Sequence, residues 1–442
     1  MLLTRLRTGL AFLRARPMLQ RVGANAGWIM GERLVRILLG LLVGLWVARH
    51  LGPGDFGELS FALAYAALWG SLANLGLEAI TVRELARRPD AAGNILGTVA
   101  ILRLAAGAAA AVLGLACSHL METGTGGQTL MVAVVLFGLI FQSADVVDCW
   151  FQAHLKSRLT VTARLVALVA GASLKVLMIY LNAPLIAFAW IALFESALIG
   201  AFLMLNYRSN PCPQALAWDG KIARSILRDS LPIMLSGLAI MIYMRIDQIM
   251  LRELAGPAQL GLFSAVLPFS EGWYVIGTSL CTSLLPMFSR LYGEDRERFL
   301  DHLQKLLAGL SGLGLVISAA TFLGSEVIVG MLLGPKYAGG AAVLGIHCWG
   351  IVFVFIGVAE NLWMISGNFS RLRLIKTALG AACNIGLNLL LIPGFGARGA
   401  ACATVVSFAV SVYLSNALLN RALFAMQTRA LLLQFRRRPQ SA

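Results

Sequence analysis

Charge is what this chain has least of. Only 13% of its 442 residues are Asp, Glu, Lys or Arg, against about 25% in a soluble domain. With 59% hydrophobic residues and a mean hydropathy of +0.79, these residues cannot cover a folded chain with a water-facing surface. The chain is therefore an integral membrane protein. Long polar loops are scarce too. The longest interior polar segment, residues 206–230, is too short for a soluble catalytic domain. The sequence contains no H-E-x-x-H, no Walker A and no loop carrying a Ser/His/Asp set. That excludes an enzyme of those kinds, and transport driven by this chain's own ATP hydrolysis. Nor is there a C-x-x-C. The seven cysteines, Cys117, Cys149, Cys212, Cys281, Cys348, Cys383 and Cys402, fall mostly inside apolar runs. They read as small core residues, with no metal site, disulfide framework or cofactor implied.

The net charge of +15 invites a nucleic-acid reading, which the placement of the charges excludes. Apolar runs of about 20 residues alternate with short polar links, the pattern of membrane helices and not of barrel strands. Twelve spans are predicted between residues 24 and 420. Lys and Arg crowd into alternate links: Arg5, Arg7, Arg14, Arg16 and Arg21; Arg83, Arg87 and Arg88; Lys156 and Arg158; Arg208, Lys221, Arg224 and Arg228; Arg290, Arg296, Arg298 and Lys305; Arg371, Arg373 and Lys376; Arg421, Arg429 and Arg436–438. The opposite side holds only Arg49, Arg252, Lys336 and Arg398. By the positive-inside rule both termini are cytoplasmic. Pro17 and the early arginines break any signal-peptide core, so residues 1–21 are expected to lie along the membrane interface. Trp28, Trp46, Trp150 and Trp218 read as interface anchors.

One stretch is written twice. Arg49–Ser60 reads RHLGPGDFGELS and Arg252–Ser264 reads RELAGPAQLGLFS. Gly52/Gly256, Pro53/Pro257, Gly57/Gly261, Ser60/Ser264 and Trp69/Trp273 each sit 204 positions apart. A Gly-Pro turn between two apolar runs is the tip of a helical hairpin, and the offset is half a molecule, not a solenoid unit. The predicted fold is all-α: two six-helix bundles, residues 22–208 and 230–422, joined by a cytoplasmic linker at 209–229 and followed by a basic tail at 423–442. Both bundles start on the cytoplasmic side. A pseudo-two-fold along the membrane normal, as in parallel-repeat transporters, should relate them.

Charges within the spans point to a cavity or a partner. The deep cations are Arg33, Arg36, Arg103, Lys175 and Arg245. Arg33 and Arg36 share a helical face, and Glu32, four before Arg36, is placed to pair with it. Arg164 reads as snorkelling to the interface. The deep anions are Glu195, Asp247, Glu271 and Glu360. Asp145 and Asp148 share a face near the cytoplasm and read as partners of a neighbouring helix. Arg245 and Asp247, two apart, need separate partners. His347, Asn384 and Asn388 read as interhelical hydrogen bonders. The first half thus holds four deep cations and the second one. Arginine grips phosphate oxygens bidentately, so a cationic lining in one bundle suits a phosphate or pyrophosphate substrate. Arg33, Arg36, Arg103, Lys175 and Arg245 are the candidate substrate-binding residues. Asp247, Glu271 and Glu360 are the candidate positions for ion coupling.

ARHLGPGDFGELSFA followed by NLGLEAITVRELAR resembles the bacterial polysaccharide-transporter or oligosaccharide-flippase family, within the multidrug/oligosaccharidyl-lipid/polysaccharide exporter superfamily. LPIMLSGLAIMIYMRIDQIML, GLFSAVLPFSEGWYVIGTSLCTSLLPMFSRL, LLGPKYAGGAAVLGI and NIGLNLLLIPGFGARGAACAT extend the resemblance over nearly the whole chain. It implies a non-enzymatic twelve-helix exporter in the bacterial inner membrane that moves an undecaprenyl-pyrophosphate-linked oligosaccharide outward by alternating access. Membrane lipids, Na⁺ or H⁺ as coupling ion and a polysaccharide polymerase are the partners it implies. In similar flippases first-bundle cavity arginines hold the pyrophosphate, and Arg33 and Arg36 match them. A multidrug antiporter of the same fold and a polytopic lipid-linked-sugar polymerase or ligase are the rival readings. A scaffold without transport is a third.

Overall fold

The structure, a computed structural model, describes residues 17–120 and 126–432. Most of the expected interfacial segment 1–21 and the arginines at 436–438 lie outside the described residues. The described residues contain helices and no strand. Ten segments are long and apolar enough to cross a membrane, and two of the ten are double. Helix α1, Pro17–Ala73, has 57 residues, about 85 Å at 1.5 Å per residue, where a hydrocarbon core is about 30 Å thick. It turns at Gly52, whose φ of 77° and ψ of 172° only glycine adopts easily. The last segment, Ser370–Leu419, turns likewise at Gly396, with φ 54° and ψ −131°. Counting both as hairpins gives the expected twelve crossings.

The chain divides into two compact units, Met1–Gly44 with Tyr65–Leu238, and Leu45–Ala64 with Ala239–Ala442. Beyond α1 the first unit comprises α2 (Leu77–Arg87), α3 (Ala92–Leu120), α4 (Gly126–Phe141), α5 (Asp145–Ala153), α6 (Ser157–Tyr180), α7 (Leu185–Ser209) and the start of α8 (Gly220–Ala255). Helix α3 packs on α4, α4 on α7 and α6 on α7. Glycine permits the close approach of α3 to α4: a Cβ on Gly107 would stand 2.9 Å from the Leu139 carbonyl. Leu77, Ile95, Val99, Cys149, Phe151 and Leu203 form the buried core. Trp150, expected at the interface, is buried instead and donates from Nε1 to the Asn210 carbonyl at 3.1 Å. Its aromatic type signalled an interface, but its neighbours Cys149 and Phe151 place it in the core.

The expected linker is seated on the first unit. A Cβ on Gly93 would fall 2.3 Å from the Ala215 carbonyl and one on Gly97 2.6 Å from that of Ala217. Asp219 N donates to Thr98 Oγ1 at 2.9 Å. Helix α8 starts at Gly220, so residues 220–229 are its first turns.

The second unit contains the rest of α8, α9 (Pro257–Glu271), α10 (Tyr274–Glu294), α11 (Arg296–Leu332), α12 (Gly340–His347), α13 (Gly350–Ser366), α14 (Ser370–Ala409), α15 (Ser415–Leu419) and α16 (Arg421–Leu431). Helix α13 packs against α10 and α11 over Phe288, Phe299, Leu303, Phe355, Ile356 and Ala359. Within this unit the two written copies meet. A Cβ on Gly57 would lie 1.8 Å from the Pro257 carbonyl oxygen, and one on Gly261 would lie 1.8 Å from that of Pro53. The contact is reciprocal at the repeat offset. Gly256 turns with φ 85° and ψ 169°, matching Gly52. Gly334, before Pro335, repeats it at φ 86° and ψ 178°.

Candidate functional site

Several crossings are not continuous helices, and their breaks carry polar residues. A 3₁₀ turn at Gln142–Ala144 separates α4 from α5, α9 ends at Glu271, α12 ends at His347 and a π-turn occupies Val410–Leu414. Such breaks free backbone groups that membrane proteins tolerate only inside protein or beside a polar cavity.

The first break opens on a cavity in the first unit. It measures about 410 Å³ and is lined by Arg36, Phe141, Gln142, Asp145, Arg164, Ala167, Leu168, Glu195, Ser196 and Ile199. Arg36 comes from α1, Gln142 and Asp145 from the break, Arg164 from α6, and Glu195 and Ser196 from α7. Arg36 keeps half its side chain exposed and pairs with Glu32 one turn back, its Nε donating to Oε1 at 2.8 Å. Arg164 pairs with Asp148 at 2.9 Å and faces Asp145 at 3.8 Å. Asp148 is fixed further by Thr160 Oγ1, which donates at 2.7 Å, and by Gln152 Nε2 at 3.2 Å. Lys175 donates to Glu195 Oε1 at 2.7 Å. Gly171 makes that geometry possible, because a Cβ there would lie 1.8 Å from the same oxygen.

Of the five substrate-binding candidates, the cavity lining includes Arg36. Arg33 is exposed and lies outside it. Arg103 is buried, donating from Nη2 to Asn74 Oδ1 at 2.9 Å while its Nε finds no partner among the described residues. Lys175 reaches the site through Glu195. Arg245 belongs to the second unit, where it acts electrostatically on Glu271. Arg164, expected at the interface, lines the cavity, because Asp145 and Asp148 hold its head inward. The cavity is not the cationic one the sequence suggests. Counting cations by span omits Glu32, Asp145, Asp148 and Glu195, and the lining itself balances two arginines with two carboxylates.

The second unit sets Glu360 apart from the other two ion-coupling candidates. Glu360 forms a buried ion pair with Lys376, joined by Asn416 and Gln427. Lys376, expected in a cytoplasmic link, is therefore an interior residue, drawn in by a carboxylate that a hydropathy window does not see. Glu271 stands in the field of Arg245 and Asp247. Asp247 is buried with neutral partners: Thr404 Oγ1 donates to Oδ2 at 2.5 Å and Asn388 Nδ2 to Oδ1 at 3.4 Å. Asn388 Nδ2 also donates to Asn384 Oδ1 at 3.0 Å, and Asn388 Oδ1 is a buried acceptor without a partner among the described residues. His347 shares a 2.8 Å hydrogen bond with Ser270, as its interhelical reading requires.

Known proteins agree with this architecture. A family model described as polysaccharide biosynthesis protein matches residues 22–292, and a MatE model matches residues 232–390. The capsular polysaccharide biosynthesis protein CapF of Staphylococcus aureus is 23% identical over 234 residues, 51% of this chain and 57% of that protein. The chain thus spans little more than half the length of the curated relative it matches. A multidrug resistance MATE family transporter of the MOP superfamily, solved inward-facing, has a TM-score of 0.71 at 17% identity, over 92% of this chain and 96% of that one. The lipid II flippase MurJ, solved in an inward closed conformation, has a TM-score of 0.72 at 12% identity, over 91% and 90%. At these identities the likeness to both is one of fold. The chain belongs to the polysaccharide biosynthesis protein family, with ten segments among its described residues long and apolar enough to cross a membrane.

Proposed function

We propose that the protein is a flippase carrying an undecaprenyl-pyrophosphate-linked oligosaccharide from the cytoplasmic to the outer leaflet of the bacterial plasma membrane, by alternating access, for surface polysaccharide export. The observation that carries this reading is the polar cavity in the first unit, with Arg36 and Arg164 on its wall. A charge at membrane depth is retained for a pathway or a partner, and two guanidinium forks suit the oxygens of a diphosphate. The sugar head crosses through such polar ground while the lipid tail stays in hydrocarbon. Asp247 is the position we assign to the coupling ion. It forms no ion pair among the described residues, and the Thr404 hydroxyl and Asn388 amide that hydrogen-bond to it belong to side chains carrying the oxygens that hard cations take.

The test is flipping of a labelled lipid-linked oligosaccharide in proteoliposomes. The double variant Arg36→Ala, Arg164→Ala should cut the rate by tenfold or more at equal protein content. Full activity in that variant would remove the cavity from the pathway. The MatE match and the carboxylates Asp145 and Glu195 in the lining favour a second reading, efflux of organic cations. Under that reading the same vesicles would expel a cationic dye and leave the lipid in place.

A further inference from the structure

The geometry points to a sugar-reading wall in the cavity of the first unit, on which Asp145 and Glu195 accept hydrogen bonds from hydroxyl groups of the sugar next to the diphosphate. This assignment rests on the flippase reading above. Ionised carboxylates only accept hydrogen bonds. A diphosphate presents acceptors of the same sign, so it can satisfy the arginines of the lining but not the carboxylates. A ring rich in hydroxyl groups supplies the donors that are wanting.

The carboxylates are not explained as counter-ions alone. Arg164 already has a dedicated one in Asp148, at 2.9 Å, with its side chain 6% exposed and its oxygens occupied by Thr160 and Gln152. Arg36 has Glu32, which is not part of the cavity wall. Asp145 is surplus to these pairs. Its one ion pair among the described residues, with Arg164 at 3.8 Å, is too long for a hydrogen bond. Glu195 engages Lys175 through Oε1, which leaves Oε2 for a ligand. Gln142, on the same wall, adds an amide that both donates and accepts. At about 410 Å³ the cavity lies at the small end of ligand pockets, about 300–1,000 Å³. It suits the diphosphate and the ring attached to it, not a whole oligosaccharide. The ring it suits is neutral, because an acidic sugar would set a carboxylate against Asp145 and Glu195.

The experiment measures binding by the purified full chain in nanodiscs. Three probes are compared: undecaprenyl pyrophosphate alone, the same lipid bearing one neutral hexose, and the same lipid bearing one hexuronic acid. The unaltered protein should bind the neutral sugar lipid more tightly than the other two. Asp145→Ala should weaken the neutral sugar lipid about tenfold, as losing a hydrogen bond to a charged group would, and move the bare lipid by less than twofold. Gly171→Ala, which displaces Glu195 from its seat, should show the same selectivity. Asp145→Asn serves if the alanine variant does not fold. An equal change for the bare and the sugar-bearing lipid, weaker or tighter, would make the carboxylates counter-ions only and overturn the proposal. Preference for the hexuronic acid would overturn it too. If the unaltered protein binds none of the three, the flippase reading falls along with it.

Discussion

Asp247 is a buried carboxylate whose hydrogen-bonding partners are neutral, an expensive arrangement unless a cation visits it. The sequence made it visible as a span charge two residues from Arg245, a spacing that forbids pairing along one helix face. Its actual surroundings were not visible. Thr404 and Asn388 come from a hairpin more than 140 positions away, and no local pattern announces such a meeting. Glu360 makes the same point: it was legible as a span charge, but its partner Lys376 read as a residue of a cytoplasmic link, and their pairing was not visible. The expectation for Asp247 is specific. A cation that binds only the folded state stabilises it by mass action, so unfolding of the detergent-solubilised protein should shift upward with added NaCl relative to choline chloride. Asp247→Asn should abolish that shift and leave lipid flipping insensitive to a sodium gradient. If proton coupling operates instead, the same variant should lose its response to a pH gradient. Full response to both gradients in Asp247→Asn would remove the residue from coupling.

At the scale of elements, the repeated hairpin tip was the most legible feature of the chain. Gly-Pro at a fixed offset predicted two turns, and Gly52 and Gly256 adopt nearly the same φ and ψ. What the repeat could not announce is that the copies touch, with Gly57 under the Pro257 carbonyl and Gly261 under that of Pro53. Arg252 reinforces the contact, standing 3.5 Å from Glu58 and over the Phe61 ring. Breaks such as Gln142–Ala144 were likewise hidden, because an interrupted helix keeps the same hydropathy as a straight one. The tip gives a measurable consequence. A methyl group at Gly57 or Gly261 has no room, so either alanine substitution must part the hairpins and should cost about 1–3 kcal/mol, the usual cost of overpacking. Gly54, on the same tip, has open space where a Cβ would go and is the control. Thermal unfolding of the three variants tests this, and a Gly57→Ala protein as stable as Gly54→Ala would contradict the contact.

For the whole molecule, the twelve crossings followed from hydropathy, two of the ten apolar segments each being a pair of helices that meet at a non-helical glycine, Gly52 or Gly396. The sidedness of the chain rests on charge. Four turns on the sparse side each pair one cation with one positive-φ glycine: Arg49 with Gly52, Arg252 with Gly256, Lys336 with Gly334, and Arg398 with Gly396. A chain inserted by the positive-inside rule exposes these turns outward and the arginine-rich links to the cytoplasm. Lys336 and Arg290 are both solvent-exposed and should report opposite sides. In intact cells Lys336→Cys should react with a membrane-impermeant maleimide above the background of the unaltered chain, whereas Arg290→Cys should react only after permeabilisation. The reverse pattern would turn the protein over in the membrane, and the cavity arginines would then meet their substrate from the outer face, as expected of an importer and not a flippase for export.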